Sequence, residues 1–331
     1  MYKEKILKLL RISKAGFLSG EELARRCGIS RTMVWKHIRS LEREGFGIEA
    51  VPSQGYRITS EPDLLRQDDI RLGLKTKVMA SDIRLFDEAV STNASAMQMA
   101  AEGAGEGTVV IAEQQTGGKG RLGRKWISPK GNLYLSVVLR PNIPLHKAPL
   151  ITLMGAVAIT SAIRSACEVQ AGIKWPNDIL VDNRKVSGLL TEMSAEQDRI
   201  RYIVLGIGVN VNMPLDELAP EVRDRATTLS AEAGQRINRT TLLRSILKDL
   251  DHWYGVFLKS EADVLAAWTS LNVTLGKRVM ISGQSVSCEG IARGIDPDGR
   301  LLVEQDDRVV RTISAGDVTI VKKQGQVASS K

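Results

Sequence analysis

The stretch GGKGRLGRKW, residues 117–126, combines closely spaced glycines with cations and is suited to binding an anion. Gly118, Gly120 and Gly123 have the G-x-G-x-x-G spacing of a dinucleotide-binding turn. The cations in and beside this spacing are Lys119, Arg121, Arg124 and Lys125. A dinucleotide turn runs from a strand through the glycines into a helix, because the amino end of the helix supplies the anion site. Residues 108–115 predict the strand, but residues 132–140 alternate in hydrophobicity and predict a second strand instead of a helix.

Two other phosphate-binding loops are also disfavoured. The glycine-rich lid of protein kinases lies between strands, but the chain has neither the H-R-D nor the D-F-G segment that supplies base and metal ligands. The G-x-x-x-x-G-K-[ST] loop is absent, since neither Gly-Lys pair, at 118–119 or 276–277, precedes Ser or Thr. The remaining strand–loop–strand presents backbone amides beside cations, which suits a polyphosphate or an acyl phosphate. Binding of RNA or DNA by this loop is the alternative.

Two further segments carry polar groups or glycines where a ligand would need them. The segment KWPNDILVDNRKVSG, residues 174–188, contains Lys174, Asn177, Asp178 and Lys185. Pro176 is expected to hold an extended turn before a strand, and VDNRKV to form a hairpin that returns Lys185 to the same neighbourhood. The strand predicted at 203–212 has Gly206 and Gly208 in its interior, where a ligand or another backbone approaches closely. An ordinary sheet with tight turns is the alternative for both segments.

The first sixty residues predict a basic helical domain. They contain twelve Lys and Arg against six Asp and Glu, which leaves a charge of +6. A first helix has its apolar side chains at Ile6, Leu9 and Leu10. Ser19 and Glu22 form a capping box for a second helix, in which the hydroxyl and the carboxylate satisfy free amides. The charge and the helices together favour a nucleic-acid partner.

A third helix, capped by Ser30, has the properties of a DNA-recognition helix. Val34, Ile38 and Leu41 form its core stripe. The residues left at its outward face are Arg31, Thr32, Trp35, Lys36 and Arg39. Residues 45–59 predict a hairpin that turns at 52–55, so that the domain is a winged helix-turn-helix in which Arg57 contacts a phosphate. A small helical domain that binds no DNA is the alternative.

The composition excludes several classes of protein. The chain has 331 residues and a net charge of +8, and its longest uncharged run near Leu150, residues 148–163, is too short to favour a membrane span. No signal peptide is evident, which predicts a cytoplasmic protein. Cys27, Cys167 and Cys288 lie far apart and are expected to be reduced. The three histidines are equally scattered, which argues against a histidine-based metal site.

Several motifs, present together and in order, identify a known family. They are STN at 91–93, Gln115, the loop at 118–126, KWPND at 174–178, Lys185 with Gly188, and GIGVN at 206–210. In these residues the chain resembles the bifunctional biotin–protein ligases that also repress the biotin operon. The resemblance covers essentially the whole chain. Lipoate–protein ligases share the central fold class, but their glycine triplet is absent.

The resemblance, together with the linker predicted at 61–69, implies an α+β chain of three domains. The winged helix-turn-helix covers residues 1–62, and a mixed α/β catalytic domain of the biotin/lipoate ligase type covers 63–271. Short strands separated by Gly, Asp and Pro turns predict a small SH3-like β-barrel at 272–323. A polar tail follows at 324–331.

The resemblance also implies the activity. Biotin and ATP would form biotinyl-5′-AMP with the help of Mg²⁺, and biotin would pass to one lysine of the biotin carboxyl carrier protein of acetyl-CoA carboxylase. The adenylate would act as corepressor for a homodimer that binds biotin operator DNA. A regulator that senses biotin without transferring it is the alternative, which the presence of Arg121, Lys185 and Asp178 disfavours.

The family's site residues map onto this sequence as follows. Catalytic roles fall to Arg121, Lys185 and Asp178, with Asp178 either a Mg²⁺ ligand or a group that helps to deprotonate the acceptor lysine. Biotin contacts are expected from Ser91, Thr92, Asn93, Gln115, Gly118, Lys119, Gly120, Arg121, Lys185, Gly188 and Gly206. ATP or adenylate contacts are expected from Arg121, Arg124, Trp126, Lys174, Asn177, Lys185 and Asn210. Lys119 and Leu122 replace arginines that are frequent in the family, so the second side chain is not expected to be needed for chemistry.

Overall fold

A computed structural model describes residues 2–13, 16–197, 199–283 and 287–321, which form two compact units divided between residues 64 and 65. The predicted polar tail, and positions 285–286 of a strand predicted for the β-barrel, lie outside the described residues.

The N-terminal unit contains three helices followed by a hairpin. The helices are α1 (Tyr2–Ile12), α2 (Gly20–Cys27) and α3 (Arg31–Arg43), and the strands are β1 (Gly47–Val51) and β2 (Gly55–Ser60), which pair antiparallel. Both predicted caps form, because the hydroxyls of Ser19 and Ser30 accept hydrogen bonds from amides three residues further on, at 3.0 and 3.2 Å.

Two side chains of this unit differ from the prediction. In α1 the residue buried beside Ile6 and Leu10 is Leu7, while Leu9 is only partly buried. The carboxylate of Glu22 forms an ion pair with Arg26 one turn along α2 instead of bonding an amide. The core stripe of α3 is buried as predicted.

A seven-stranded sheet forms the centre of the second unit. Its strands are β3 (Ile83–Ala89), β4 (Val109–Gln115), β5 (Leu133–Leu139), β6 (Gly172–Lys174), β7 (Asp178–Val181), β8 (Arg184–Glu196) and β9 (Arg199–Val209). They lie in the order β3-β4-β5-β9-β8-β7-β6, in which β3 and β4 are parallel and every other neighbouring pair is antiparallel. The strands predicted before and after the glycine-rich loop are β4 and β5, so the prediction that no helix follows the glycines is confirmed.

Helices cover both faces of this sheet. They are α4 (Gln67–Arg71), α5 (Thr92–Ala101), α6 (Pro149–Cys167), α7 (Leu229–Ala233), α8 (Arg239–Phe257) and α9 (Glu261–Leu271). Helix α5 packs against Val110, Val138 and Val204 on one face, whereas α6 packs on the other face, where Gly155 lies against Leu189 and Leu205, and α8 packs on α6. Every residue of β5 is therefore buried, as expected for a strand with helices on both sides.

The segment Leu145–Cys167, which contains α6, is long and apolar enough to cross a membrane by length and composition alone. The short uncharged run at 148–163 therefore does not by itself exclude a span. The structure gives a better reason, because 72% of its most apolar window is buried inside the protein.

The last strands form a five-stranded antiparallel sheet. They are β10 (Arg278–Ser282), β11 (Ser287–Ile295), β12 (Leu301–Glu304), β13 (Val310–Ile313) and β14 (Asp317–Ile320), in the order β13-β12-β11-β10-β14. This sheet is fixed to the central domain, since the indole nitrogen of Trp175 donates to the carbonyl of Gly299 at 3.0 Å. Lys147 forms a second link to the sheet through an ion pair with Asp298, between β11 and β12, at 3.2 Å. It also pairs with Glu261 of α9 at 3.0 Å. Cys27, Cys167 and Cys288 are buried and free.

Candidate active site

The glycine-rich loop is a tight hairpin between β4 and β5. The amide of Trp126 donates to the carbonyl of Gly118 at 2.9 Å, and that of Gly120 donates to the carbonyl of Arg124 at 2.7 Å. A Cβ at Gly118 would lie 2.5 Å from the carbonyl oxygen of Trp126, so the two arms approach closely only with glycine there. Gly123 has a φ of +73°, in the left-handed region that favours glycine. The glycines therefore serve the folding of a hairpin that presents its cations.

Arg121 points from this hairpin into the protein. Its Nη1 donates to Oδ1 of Asn177 at 3.1 Å and to the carbonyl of Gly316 at 3.4 Å. Burial lowers the pKa of Arg121, while the carboxylates of Asp317 and Asp178 act in the opposite direction. The guanidinium remains charged, since arginine does not lose its proton in proteins. The loop and the KWPND segment, predicted separately, thus meet through Arg121 and Asn177.

Asp178 holds two lysines. Its Oδ1 lies 2.5 Å from Nζ of Lys185 and its Oδ2 lies 3.1 Å from Nζ of Lys174. Burial would raise the pKa of Asp178, but these ammonium groups outweigh it, and the pKa is lowered. Lys185 reaches Asp178 because β7 and β8 form the predicted hairpin, whose turn residues Asp182 and Asn183 both have positive φ.

Trp126 lies against two glycines of the sheet. An added Cβ at Gly208 would lie 2.7 Å from the indole nitrogen, and one at Gly188 would lie 3.2 Å from Cζ3. Nζ of Lys185 lies 5.0 Å from the centroid of the ring, at cation–π distance. The indole nitrogen is buried and has no hydrogen-bond partner among the described residues. The glycine predicted to admit a ligand or a backbone at 208 therefore admits this side chain.

A neutral polar network links the end of β4 to the first turn of α5. Oε1 of Gln115 accepts from the amide of Thr92 at 2.8 Å, and its Nε2 donates to Oγ of Ser128 at 2.9 Å. Oγ of Ser136 lies 2.6 Å from Oδ1 of Asn93 and 2.8 Å from Oγ1 of Thr92. Sequence reasoning missed Ser136, although a serine inside the apolar run LYLSVVL was a visible signal.

The position of the Asn93 side-chain amide explains why residue 206 is a glycine. Nδ2 of Asn93 donates to Oε2 of Glu192 at 2.7 Å and lies 3.2 Å from the carbonyl of Leu190. A Cβ at Gly206 would lie 2.0 Å from Oδ1 of Asn93, so this glycine admits the asparagine side chain. Glu192 was not predicted as part of the site.

The remaining predicted residues differ in how closely the structure ties them to this cluster. Ser91 is buried at the start of α5, and Lys119 is exposed on the hairpin. Arg124 forms an ion pair with Asp317 at the start of β14. The side chain of Asn210 donates to the carbonyl of Thr227 at 3.1 Å, a contact that fixes the chain after β9.

The described residues do not offer an all-protein cage for Mg²⁺, although this metal is usually held by one or two carboxylates together with the phosphates of its substrate. No group of three or more His, Cys, Asp or Glu within them lies close enough together to hold a metal ion. Asp178, the metal ligand considered from sequence, has both oxygens occupied by ammonium groups. That environment fits Mg²⁺ poorly, because the metal prefers free oxygen ligands.

In the N-terminal unit the predicted recognition residues of α3 are all exposed. Trp35 is 49% exposed, and the guanidinium of Arg39 lies 5.7 Å from the centroid of its ring. Arg57 on β2 forms an ion pair with Glu49 and lies 4.7 Å from the centroid of the Phe17 ring. Contact of Arg57 with a phosphate would therefore compete with an existing ion pair.

The fold and the site define a ligase of the biotin/lipoate class. The family model for biotin/lipoate A/B protein ligases matches residues 89–210, that for an HTH domain matches 3–57, and that for the biotin protein ligase C-terminal domain matches 274–321. The chain belongs to the biotin protein ligase family, in the group of bifunctional ligase/repressors.

Individual relatives support this assignment over nearly the full length. The bifunctional ligase/repressor BirA of Bacillus subtilis is 40% identical over 307 residues, which are 92% of this chain and 94% of the relative. BirA of Escherichia coli is 31% identical, over 95% and 96% of the two chains. Among solved structures, a biotin protein ligase from Aquifex aeolicus in complex with biotin and ATP matches 73% of this chain and 99% of its own, at 30% identity and a TM-score of 0.63.

Proposed function

We propose that the chain activates biotin with ATP to give biotinyl-5′-AMP, and then transfers biotin to a lysine of the biotin carboxyl carrier protein of acetyl-CoA carboxylase. The observation that carries the proposal is the convergence of Arg121, Lys185 and Lys174 around one carboxylate, Asp178. The cluster holds more positive than negative charge. This excess of positive charge attracts the two anionic substrates.

The first step joins a carboxylate to a phosphate. An oxygen of the biotin carboxylate attacks the α-phosphorus of ATP, the bond to the bridging oxygen breaks, and pyrophosphate leaves with its electrons. Cations fixed in place before the reaction stabilise the charge that develops on the phosphate oxygens. Arg121 and Lys185 are the residues we assign to this role, and Arg124 to the departing phosphates. No step is assigned to Mg²⁺.

The neutral groups around Gln115 fit the other end of biotin. The ureido ring is uncharged and has both donors and acceptors, as do the side chains of Gln115, Thr92 and Ser128. Trp126 has a broad apolar face beside the loop, and we assign it to stacking on adenine. The buried position of its ring edge against Gly208 holds that face in one orientation.

The second step needs the acceptor lysine without its proton. Asp178 is a weak base for this purpose, because both of its oxygens accept from ammonium groups and its pKa is lowered. We therefore assign Asp178 to positioning Lys174 and Lys185, in place of the two roles considered from sequence.

The N-terminal unit supports a second activity, binding of biotin operator DNA by α3. Its exposed cations and Trp35 suit a helix that enters the major groove. We propose that biotinyl-AMP is the corepressor, that the repressor is a homodimer and that the protein acts in the cytoplasm. We also retain the division into domains at 1–62, 63–271 and 272–323, with the last two packed into one compact unit.

The test combines both activities in one preparation. The full chain is incubated with ATP, radiolabelled biotin and a carrier-domain protein, and operator binding is then measured with and without biotin. Label on the carrier together with biotin-dependent operator binding supports the proposal. Biotin-dependent DNA binding without any labelled carrier would instead support the non-transferring regulator.

A further inference from the structure

One turn of the C-terminal sheet contacts both arginines of the glycine-rich loop. Asp317 forms an ion pair with Arg124, and the carbonyl of the preceding Gly316 accepts from Arg121 at 3.4 Å. These contacts join positions 193 and 195 residues apart along the chain. No motif in the sequence connects the two segments.

The turn that makes these contacts is held in place by the C-terminal sheet. Asp317 begins β14 and pairs with Ser282 of β10, while the next residue, Val318, is buried in the sheet. Gly316 has a φ of +148°, and a Cβ there would lie 2.8 Å from Cγ2 of Ile281. The turn therefore presents a fixed carboxylate and a fixed carbonyl to the loop.

The ion pair between Arg124 and Asp317 is partly exposed to solvent. The Arg124 side chain is 63% exposed and that of Asp317 is 29% exposed. Ion pairs with this exposure contribute little to stability, so a competing anion can displace the carboxylate easily. A phosphate competes well, because it accepts two parallel hydrogen bonds from one guanidinium just as a carboxylate does, and it carries more charge.

We propose that Asp317 is a positioning residue that holds the glycine-rich loop through Arg124 before ATP binds, and gives up Arg124 to the nucleotide phosphates. The inference rests on the proposed function for the role of Arg124. One carboxylate then has two effects. Asp317 lowers the apparent affinity for ATP by competing for Arg124, and it keeps the empty loop anchored on the C-terminal sheet.

Because of these two effects, Asp317→Asn should change the KM for ATP in the direction opposite to that expected for a residue that only docks two domains. The KM for ATP in biotin-dependent pyrophosphate release should fall by roughly two- to five-fold, the range of an exposed ion pair, while the KM for biotin stays unchanged. A residue that only docked the two domains would raise the KM for ATP when mutated. The matched control is Glu304→Gln, which removes a pair with Arg293 of similar exposure, 30% and 51%, elsewhere on the same sheet.

A second measurement does not depend on catalysis. The loop contains several trypsin sites, at Lys119, Arg121, Arg124 and Lys125. In the ligand-free full chain, cleavage there should be several-fold faster for Asp317→Asn than for the unaltered protein or Glu304→Gln. Equal cleavage rates, or a raised KM for ATP, would contradict the role of Asp317. An unaltered chain that released no pyrophosphate would contradict the proposed ligase function, and the cleavage rates would still decide whether Asp317 anchors the loop.

Discussion

Lys185 is held ready for an anion by two different contacts. Its Nζ lies 2.5 Å from Asp178 and 5.0 Å from the ring centroid of Trp126. The carboxylate and the ring together fix a long side chain that would otherwise sample many rotamers. Its charge is thus in place before substrates arrive, which is the condition under which electrostatic stabilisation of a transition state is most effective.

Replacing Lys185 tests this arrangement. Lys185→Ala should slow biotin-dependent pyrophosphate release by at least about 100-fold, as expected when one fixed charge-stabilising group is lost. Lys185→Arg should recover part of the rate, since the charge returns with a different shape. The control is Lys130→Ala, an exposed lysine shortly before β5. Normal pyrophosphate release by Lys185→Ala would remove this residue from the site.

Asp178 should also control stability in a pH-dependent manner. Its pKa in the folded protein is lowered below the ordinary value of 3.8, so its contribution is fully present above about pH 4 and is lost as the pH falls through the folded pKa. Asp178→Asn should therefore reduce the free energy of unfolding at pH 7, by about 1–3 kcal/mol, because two ammonium groups lose their partner. The difference from the unaltered chain should shrink at pH 3. Urea unfolding at both pH values measures it.

The control for this experiment is a carboxyl group whose pKa is raised instead of lowered. Burial raises the pKa of Asp249, although His252 and Lys248 oppose it. The charged form of Asp249 therefore disfavours the folded state, and Asp249→Asn should be neutral or slightly stabilising at pH 7. A deficit of Asp178→Asn that is as large at pH 3 as at pH 7 would show that packing, not charge, explains it.

At the level of elements, the apolar sequence was enough to predict β4, β5 and β9, of which β5 was predicted from alternating hydrophobicity, and turn residues were enough for the β7–β8 hairpin. Contacts between distant elements were not predictable. Gly206 signalled a close approach, but Asn93, which fills the space, lies on α5 and meets β9 only when that helix packs on the sheet. Ser136 and Asp317 were missed for the same reason, since their partners come from other parts of the chain.

The fit between α5 and β9 can be tested at Gly206. Gly206→Ala would place a Cβ 2.0 Å from Oδ1 of Asn93, so the helix or the strand must shift. The variant should lose about 1–3 kcal/mol of stability, and the KM for biotin should rise because Asn93 and its neighbours move. Gly255→Ala in α8, where nothing lies within 4 Å of the new Cβ, should be neutral or stabilising. A Gly206→Ala chain with unchanged unfolding and unchanged KM would contradict the packing argument.

At the scale of the whole molecule, the division at residue 64 separates the residues assigned to DNA binding from those assigned to the ligase reaction. The exposed basic helix α3 belongs to the first unit, whereas every residue assigned to biotin or ATP belongs to the second. The Aquifex aeolicus ligase matches 73% of this chain over 99% of its own length, so a related ligase can be built from about three quarters of this length. The second unit should therefore carry the ligase activity alone.

Removal of residues 1–61 tests that separation. The cut leaves Leu65 in place, whose amide donates to the buried carboxylate of Glu113 at 2.8 Å and fixes the start of the second unit. The shortened chain should label a carrier domain within about two-fold of the full rate and should not bind operator DNA. In the full chain, Trp35→Ala should leave labelling unchanged but weaken operator binding about 10- to 100-fold, the loss expected for one base-contacting side chain. A shortened chain that is folded by circular dichroism yet inactive would show that the N-terminal unit takes part in catalysis.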